Sequence, residues 1–125
     1  MKKECCLVFD IGKTNQKYLL FDADFKILAR EKVTLSKIED EDGHSAENIH
    51  EIVSWMKESF ETLLASDTFV INKVNFSAFG ATLIHLDKKG EVVAPVYDYH
   101  KPVETNTFEP FYRDYGPESV FASHT

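Results

Sequence analysis

The stretch "LVFDIGKTNQKYLLFD", Leu7 to Asp22, decides how this 125-residue chain is read. It carries Gly12-Lys13-Thr14 directly after an apolar run, which is how a P-loop ends. A P-loop is G-x-x-x-x-G-K-[ST] between a strand and a helix, and it holds phosphate on the amides and dipole of that helix. Counted back from Gly12, the first glycine falls on Leu7, inside the strand. Downstream, "KYLLFD" is a strand pattern and not a helix start. The P-loop mechanism therefore fails, and a turn between two antiparallel strands takes its place. In such a turn Gly12 lets the backbone pass close to a phosphate. Exposed amides from Gly12 to Asn15 and the Thr14 hydroxyl can bond phosphate oxygens, and Lys13 or Lys17 can supply charge. Asp10, at the strand end, suits Mg²⁺, which takes few carboxylates and keeps several waters. An ordinary hairpin with a capping aspartate would use the same residues.

Working outward, "CCLVF" is a short continuous apolar run, as expected of a central strand buried on both faces. "QKYLLFDADFKILAREKVTL" carries two more strands, with Ala23-Asp24 at the tip between Phe21 and Ile27. Ser36 to Asn48 is polar and acidic and reads as a solvated loop, with Ser45 as N-cap. A helix from about Ala46 to Ser66 comes next, with Ile49, Ile52, Val53, Met56, Phe60, Leu63 and Leu64 in one stripe and Trp55 at its edge. Val74, Phe76 and Ala78 then alternate as a strand, and Leu83 to Asp87 reads as a second short one. "DKKG" is a hairpin turn with Gly90 at positive φ, and Pro95 marks where the last strand ends. The remainder is aromatic and interrupted by Pro102, Pro110 and Pro117, the last of which is placed to open a short helix. Strands, a helix and further strands predict an α/β layered fold with a mixed sheet.

Bulk properties exclude several classes. The net charge is −7, against the basic face that nucleic-acid binding needs. Cys5 and Cys6 are neighbours, which on a strand point to opposite faces, so neither a disulfide framework nor a metal set is expected. The apolar run at the start is too short for a signal peptide and none approaches membrane-spanning length. No membrane partner and a cytoplasmic location are expected.

The pattern D-x-G-x-T-x-x-K-x-x-x-x-D, Asp10 to Asp22, resembles the first phosphate motif of the sugar-kinase, heat-shock-chaperone and actin superfamily. More narrowly, the chain resembles the N-terminus of an FGGY-family carbohydrate kinase. "VFDIGKTNQKYLLFDADFKIL" is similar to the first hairpin of these kinases. "VNFSAFGATLIHLDKKGEVVAPVYDY" is similar to their later strand, glycine turn and L-D-x-x-G-x-x-x-x-P hairpin, and "FYRDYGPESVFASHT" to the segment before their next helical region.

The resemblance implies a ribonuclease-H-like mixed sheet with helices, the N-terminal part of an actin-like ATPase domain. Residues 1–125 would be a single, incomplete domain of an enzyme that passes the γ-phosphoryl of ATP to a sugar hydroxyl. By the same resemblance Asp10 acts near Mg²⁺, and Gly12, Thr14 and Lys17, with Asn15, line the phosphate path. Lys13 stands where the family often has Thr. Phe79, Gly80, Ala81 and Thr82 match the turn that reaches the sugar, although a tight turn alone would account for Gly80. Tyr97-Asp98 stands where the family carries an aromatic-x-D-x-R-like element, but this chain has no Asp-x-Arg there. The family's catalytic aspartate and adenosine-binding motifs lie downstream of this region, so no catalytic residue falls in this chain and the chain alone should be inactive. The implied partners are a ketose such as L-fuculose, L-rhamnulose or xylulose, and the missing C-terminal domain. The aromatic tail, with Phe108, Phe111, Tyr112 and Tyr115, suggests a patch for that domain or for a homodimer. Two alternatives use the same residues: a ribonuclease-H-like metal-dependent nuclease, with Asp98 as partner to Asp10, and a non-catalytic nucleotide- or partner-binding module.

Overall fold

In the computed structural model, which describes residues 2–121, the apolar runs on either side of Gly12 pair as antiparallel strands. Strand β1 (Lys3–Ile11) meets β2 (Gln16–Phe21), and β2 turns back into β3 (Ile27–Val33). The element after Gly12-Lys13-Thr14 is thus β2 and not a helix. Strand β6 (Phe69–Ala78) adds parallel to β1 on its other edge, giving the sheet order β3-β2-β1-β6. A parallel pair needs a crossover, and helix α1 (Ile49–Leu64) lies in it.

Burial alternates along β1. Cys5, Leu7 and Phe9 are buried, while Cys6, Val8 and Asp10 are half-exposed. The expectation of a strand closed on both faces is therefore corrected: β1 is central in the sheet, but only one face is sealed. Leu7 sits opposite Leu20 in the register, and both side chains are at 0% exposure. Trp55 and Leu63 of α1 close over this face. Trp55 is in the core and not at the edge of the stripe. Its ring lies edge-on to Phe9 at 5.7 Å, and its Nε1–H donates to Glu31 at 3.1 Å. Ile52 of the stripe is buried too, and Met56 and Phe60 pack partly buried against the cluster, but the outer side of the stripe stays open. Leu64 is exposed, and Val53, Met56 and Phe60 line an open groove of about 370 Å³ with Phe9, Val74 and Phe76.

Four other expectations are corrected. The acidic stretch holds a small antiparallel hairpin, β4 (Lys37–Glu39) with β5 (Ser45–Glu47), in which Ala46 and Glu47 are buried. Ser45 is in β5, and the N-cap of α1 is Asn48, whose Oδ1 accepts from the Glu51 amide at 3.2 Å. Leu83 to Asp87 forms no strand; it contributes one bridge, Leu86 to Val92, across a turn in which Gly90 has φ +84°. Helix α2 (Thr105–Tyr115) runs through Pro110. A proline there has no amide to donate to the Asn106 carbonyl and crowds that carbonyl with its ring, at a cost of about 3 kcal/mol to the helix. A short helix α3 (Glu118–Phe121) comes after Pro117, and the end of "FYRDYGPESVFASHT" lies outside the described residues.

Candidate functional site

The turn between β1 and β2 closes because residue 12 has no side chain. The Gly12 amide donates to the Asn15 carbonyl at 3.1 Å, and a Cβ on Gly12 would lie 2.6 Å from that oxygen. Gln16, a buried polar residue, braces the turn from below: its Nε2 donates to the Gly12 carbonyl at 3.1 Å, and its Oε1 accepts from the Leu35 amide at 3.4 Å. Sequence reasoning missed Gln16; a polar side chain opening an apolar strand was the available signal. Thr14 is exposed at the tip. Asp10 and Lys17 face each other across β1 and β2, with Lys17 Nζ 2.9 Å from Asp10 Oδ2.

Beside the turn lies a lattice of charges centred on Asp98. Its Oδ1 accepts from the His100 amide at 2.8 Å and lies 3.3 Å from the His100 ring. Its Oδ2 takes Lys37 at 3.1 Å and Lys13 at 3.3 Å. The His100 amide, with the two ammonium groups behind it, holds the Asp98 carboxyl well below the usual carboxylate range, against the opposing effect of burial. Lys37 also pairs with buried Glu47 at 2.7 Å, and that carboxylate, more than Asp98, raises the lysine's pKa. Lys13 Nζ meets the His100 ring nitrogens and stands 4.3 Å above the centre of the Tyr99 ring. Glu47 and Lys37 were not singled out in the sequence, because nothing marked them as facing pairs until β4 and β5 were seen to register Lys37 with Glu47.

The structure thus brings Lys13 and Asp98 together, and Asp10 and Lys17. It fastens Phe79 to the end of β1, through its amide to the Ile11 carbonyl at 3.0 Å. The turn after it is not built on Gly80, around which there is open space; the left-handed residue is Ala81, at φ +57°. Thr82 Oγ1 is buried with no hydrogen-bond partner among the described residues. Tyr97 points away from Asp98's contacts and bonds Asp40 through its hydroxyl, while Lys101 lies over its ring and 3.6 Å from Asp40. Together the Tyr97 hydroxyl and the His44 amide lower the Asp40 carboxyl to about 2.

Among the described residues no group of three or more His, Cys, Asp or Glu is arranged to hold a metal. Asp10 offers one partly exposed carboxylate, which fits Mg²⁺ shared with phosphate oxygens and water but not a cation that needs a full protein cage. No described helix is long and apolar enough to cross a membrane.

A mixed sheet whose central strand ends in an Asp-x-Gly turn, with one helix in the crossover, defines an actin-like ATPase fold. Solved structures agree with it. A carbohydrate kinase from Novosphingobium aromaticivorans superposes with a TM-score of 0.76 at 20% identity, over 91% of this chain and 23% of that one. A xylulose kinase from Rhodospirillum rubrum gives 0.73 at 13% identity, over 92% and 24%. Glycerol kinase from Plasmodium falciparum, with ADP, gives 0.70 at 15%, over 91% and 24%. Residues 5–120 match the N-terminal domain of the FGGY family of carbohydrate kinases, and the chain belongs to that family. It spans about a quarter of the length of these structures. Among curated proteins none matches the sequence.

Proposed function

We propose that this chain is the N-terminal part, a single incomplete domain, of an ATP-dependent carbohydrate kinase that transfers the γ-phosphoryl of ATP to a sugar hydroxyl. The observation that carries the reading is the contact between Lys13 of the Gly12 turn and Asp98, which brings the turn of the phosphate-like motif beside a carboxylate of the sugar side. In this reading the amides of Gly12 to Asn15 and the Thr14 hydroxyl hold phosphate oxygens, and Lys13 and Lys17 balance their charge. Asp10 holds Mg²⁺ directly or through water; the ion, when bound, neutralises charge on the phosphates. Phe79 to Thr82, Tyr97 and Asp98 form the sugar side, with Tyr97 acting through the backbone of its neighbour. The acceptor is a ketose of the L-fuculose, L-rhamnulose or xylulose type, and xylulose is supported by the similar xylulose kinases.

Phosphoryl transfer needs an aligned nucleophile as well as a charge clamp. The catalytic base and the adenosine site are assigned to the C-terminal remainder of the polypeptide. The open groove around Phe76 and the edge of β6, which no other strand pairs among the described residues, support the idea that more chain belongs against this sheet. The nuclease alternative is less well supported, since Asp10 and Asp98 each carry lysine partners of their own. The test is a coupled ADP-release assay with a ketose panel. The isolated 125 residues should give no turnover, and the longer polypeptide should give turnover that Asp10→Asn abolishes. Sugar phosphorylation by the isolated chain, or full activity in Asp10→Asn, would overturn the reading.

A further inference from the structure

Asp98 accepts from the His100 amide on Oδ1, with the His100 ring beside that oxygen, and Oδ2 is shared by Lys13 and Lys37. A substrate hydroxyl can take the place on Oδ2 only if one of the two lysines leaves. The two lysines are not equally free to do so. Lys37 is held between two carboxylates, one of them buried Glu47. Among the described residues Lys13 has one carboxylate partner, Asp98, at the longer distance of 3.3 Å, and its other neighbours are the His100 ring nitrogens and the face of Tyr99. Its main chain is part of the Gly12 turn, so its flexible four-carbon stem can bring the ammonium to any anion resting on the turn's amides. Asp98 is also paired with Lys37, so departure of Lys13 does not leave the carboxylate without a charge partner. A phosphate group, with more charge and several oxygens, is the stronger acceptor.

We propose that Lys13 is a positioning residue that exchanges between Asp98 and a phosphate held on the Gly12 turn, so that phosphate binding frees Asp98 to accept from a substrate hydroxyl. The exchange rests on the proposed phosphate role of the turn. Linkage makes it reciprocal: a hydroxyl ligand on Asp98 displaces Lys13 toward the turn and tightens phosphate binding there. A threonine at this position could not reach Asp98, so the coupling is a property of this chain's lysine.

The experiment is a titration of the 125-residue chain with tripolyphosphate, followed by NMR. The Lys13 side chain reports its own position, because its place over the Tyr99 ring gives its terminal protons a ring-current shift. The amides of Gly12 to Asn15 are expected to move to saturation, with the Lys13 side-chain signals losing the ring-current shift and the His100 ring signals moving at the same midpoint. In Lys13→Met the amides should still saturate, about fivefold more weakly, the low end of typical coupling, while His100 stays still. Saturating amides with static Lys13 and His100 signals would overturn the exchange and leave the phosphate turn standing. A His100 response undiminished in Lys13→Met would also overturn it. No response of the turn amides to tripolyphosphate would overturn the phosphate reading itself, and the exchange with it.

Discussion

The two ends of β1 are held by opposite means. Toward its start and middle, Cys5, Leu7 and Phe9 lie in a dry cluster with Leu20, Trp55 and Leu63, all close in the sheet or on one helix face. At its far end, the turn, the β4–β5 hairpin and the 96–101 segment are joined by polar contacts: Lys13 and Lys37 to Asp98, Lys37 to Glu47, Tyr97 and Lys101 to Asp40, and the Glu47 amide to the Val96 carbonyl. Apolar contact is strong and indifferent to pH. The polar lattice is individually weak, sensitive to charge and able to exchange partners. A turn that binds ligands needs the second kind where they arrive, and the first kind nearby to keep the turn from moving with them.

The largest effect should come from breaking the dry end. Leu7→Ala removes a fully buried side chain opposite Leu20, and should lower unfolding free energy by about 2–5 kcal/mol in a denaturant titration. A loss as small as that of a surface substitution would mean the two ends are not as different as the burial indicates.

Gly12→Ala tests the junction between them. The new Cβ would meet the Asn15 carbonyl at 2.6 Å, and that atom is backbone, so the turn itself must shift. Forcing an atom into closed space costs about 1–3 kcal/mol. We expect a thermal midpoint lowered less than in Leu7→Ala, with NMR shift changes concentrated at Lys13, Gln16 and Leu35 and little change at Leu63. Changes spread evenly over both ends would dissolve the distinction.

The same contrast explains what could be read in advance. Strands β1 to β3 and helix α1 announce themselves through apolar spacing, because the cluster beneath them is built from that spacing. The hairpin turn at Gly12 was legible because the residues that make it are contiguous. The phase of α1 was not: Trp55 is buried, while the outer side of the apolar stripe, with Val53, Met56 and Phe60, faces an open groove. The β4–β5 hairpin was hidden because its strands are three residues each and its outward Ile38 is exposed. The lattice around Asp98 was illegible for a deeper reason. Lys13 and His100 are 87 residues apart, and a charge carries no periodicity that would point to its partner. Only the path of the chain joins them.

The mildest test is acid, which should act on one end alone. Asp40 has its carboxyl lowered from the ordinary 3.8 to about 2 by the Tyr97 hydroxyl and the His44 amide, and Asp98 is lowered in the same direction. A carboxyl whose folded pKa is depressed adds stability in full above its unfolded value, and that contribution is lost as pH falls through the folded value. The Tyr97–Asp40 contact should therefore hold at pH 5 and loosen between about pH 4 and pH 2, with the Tyr97 ring and His44 amide signals shifting before those of Leu7 and Leu20. Tyr97→Phe removes the first of the two causes. In that variant the Asp40 carboxyl should titrate closer to 3.8, so the His44 amide shifts at a higher pH, and the stability that the depressed carboxyl supplied at about pH 7 is lost in part, so the denaturant midpoint there falls slightly. Leu7 and His44 responding together in the parent would show that the polar lattice is not separable from the core. An unchanged His44 midpoint in Tyr97→Phe would mean that Asp40 is held by its own turn, through the amides of Asp42 and His44, and that Tyr97 only rests against it.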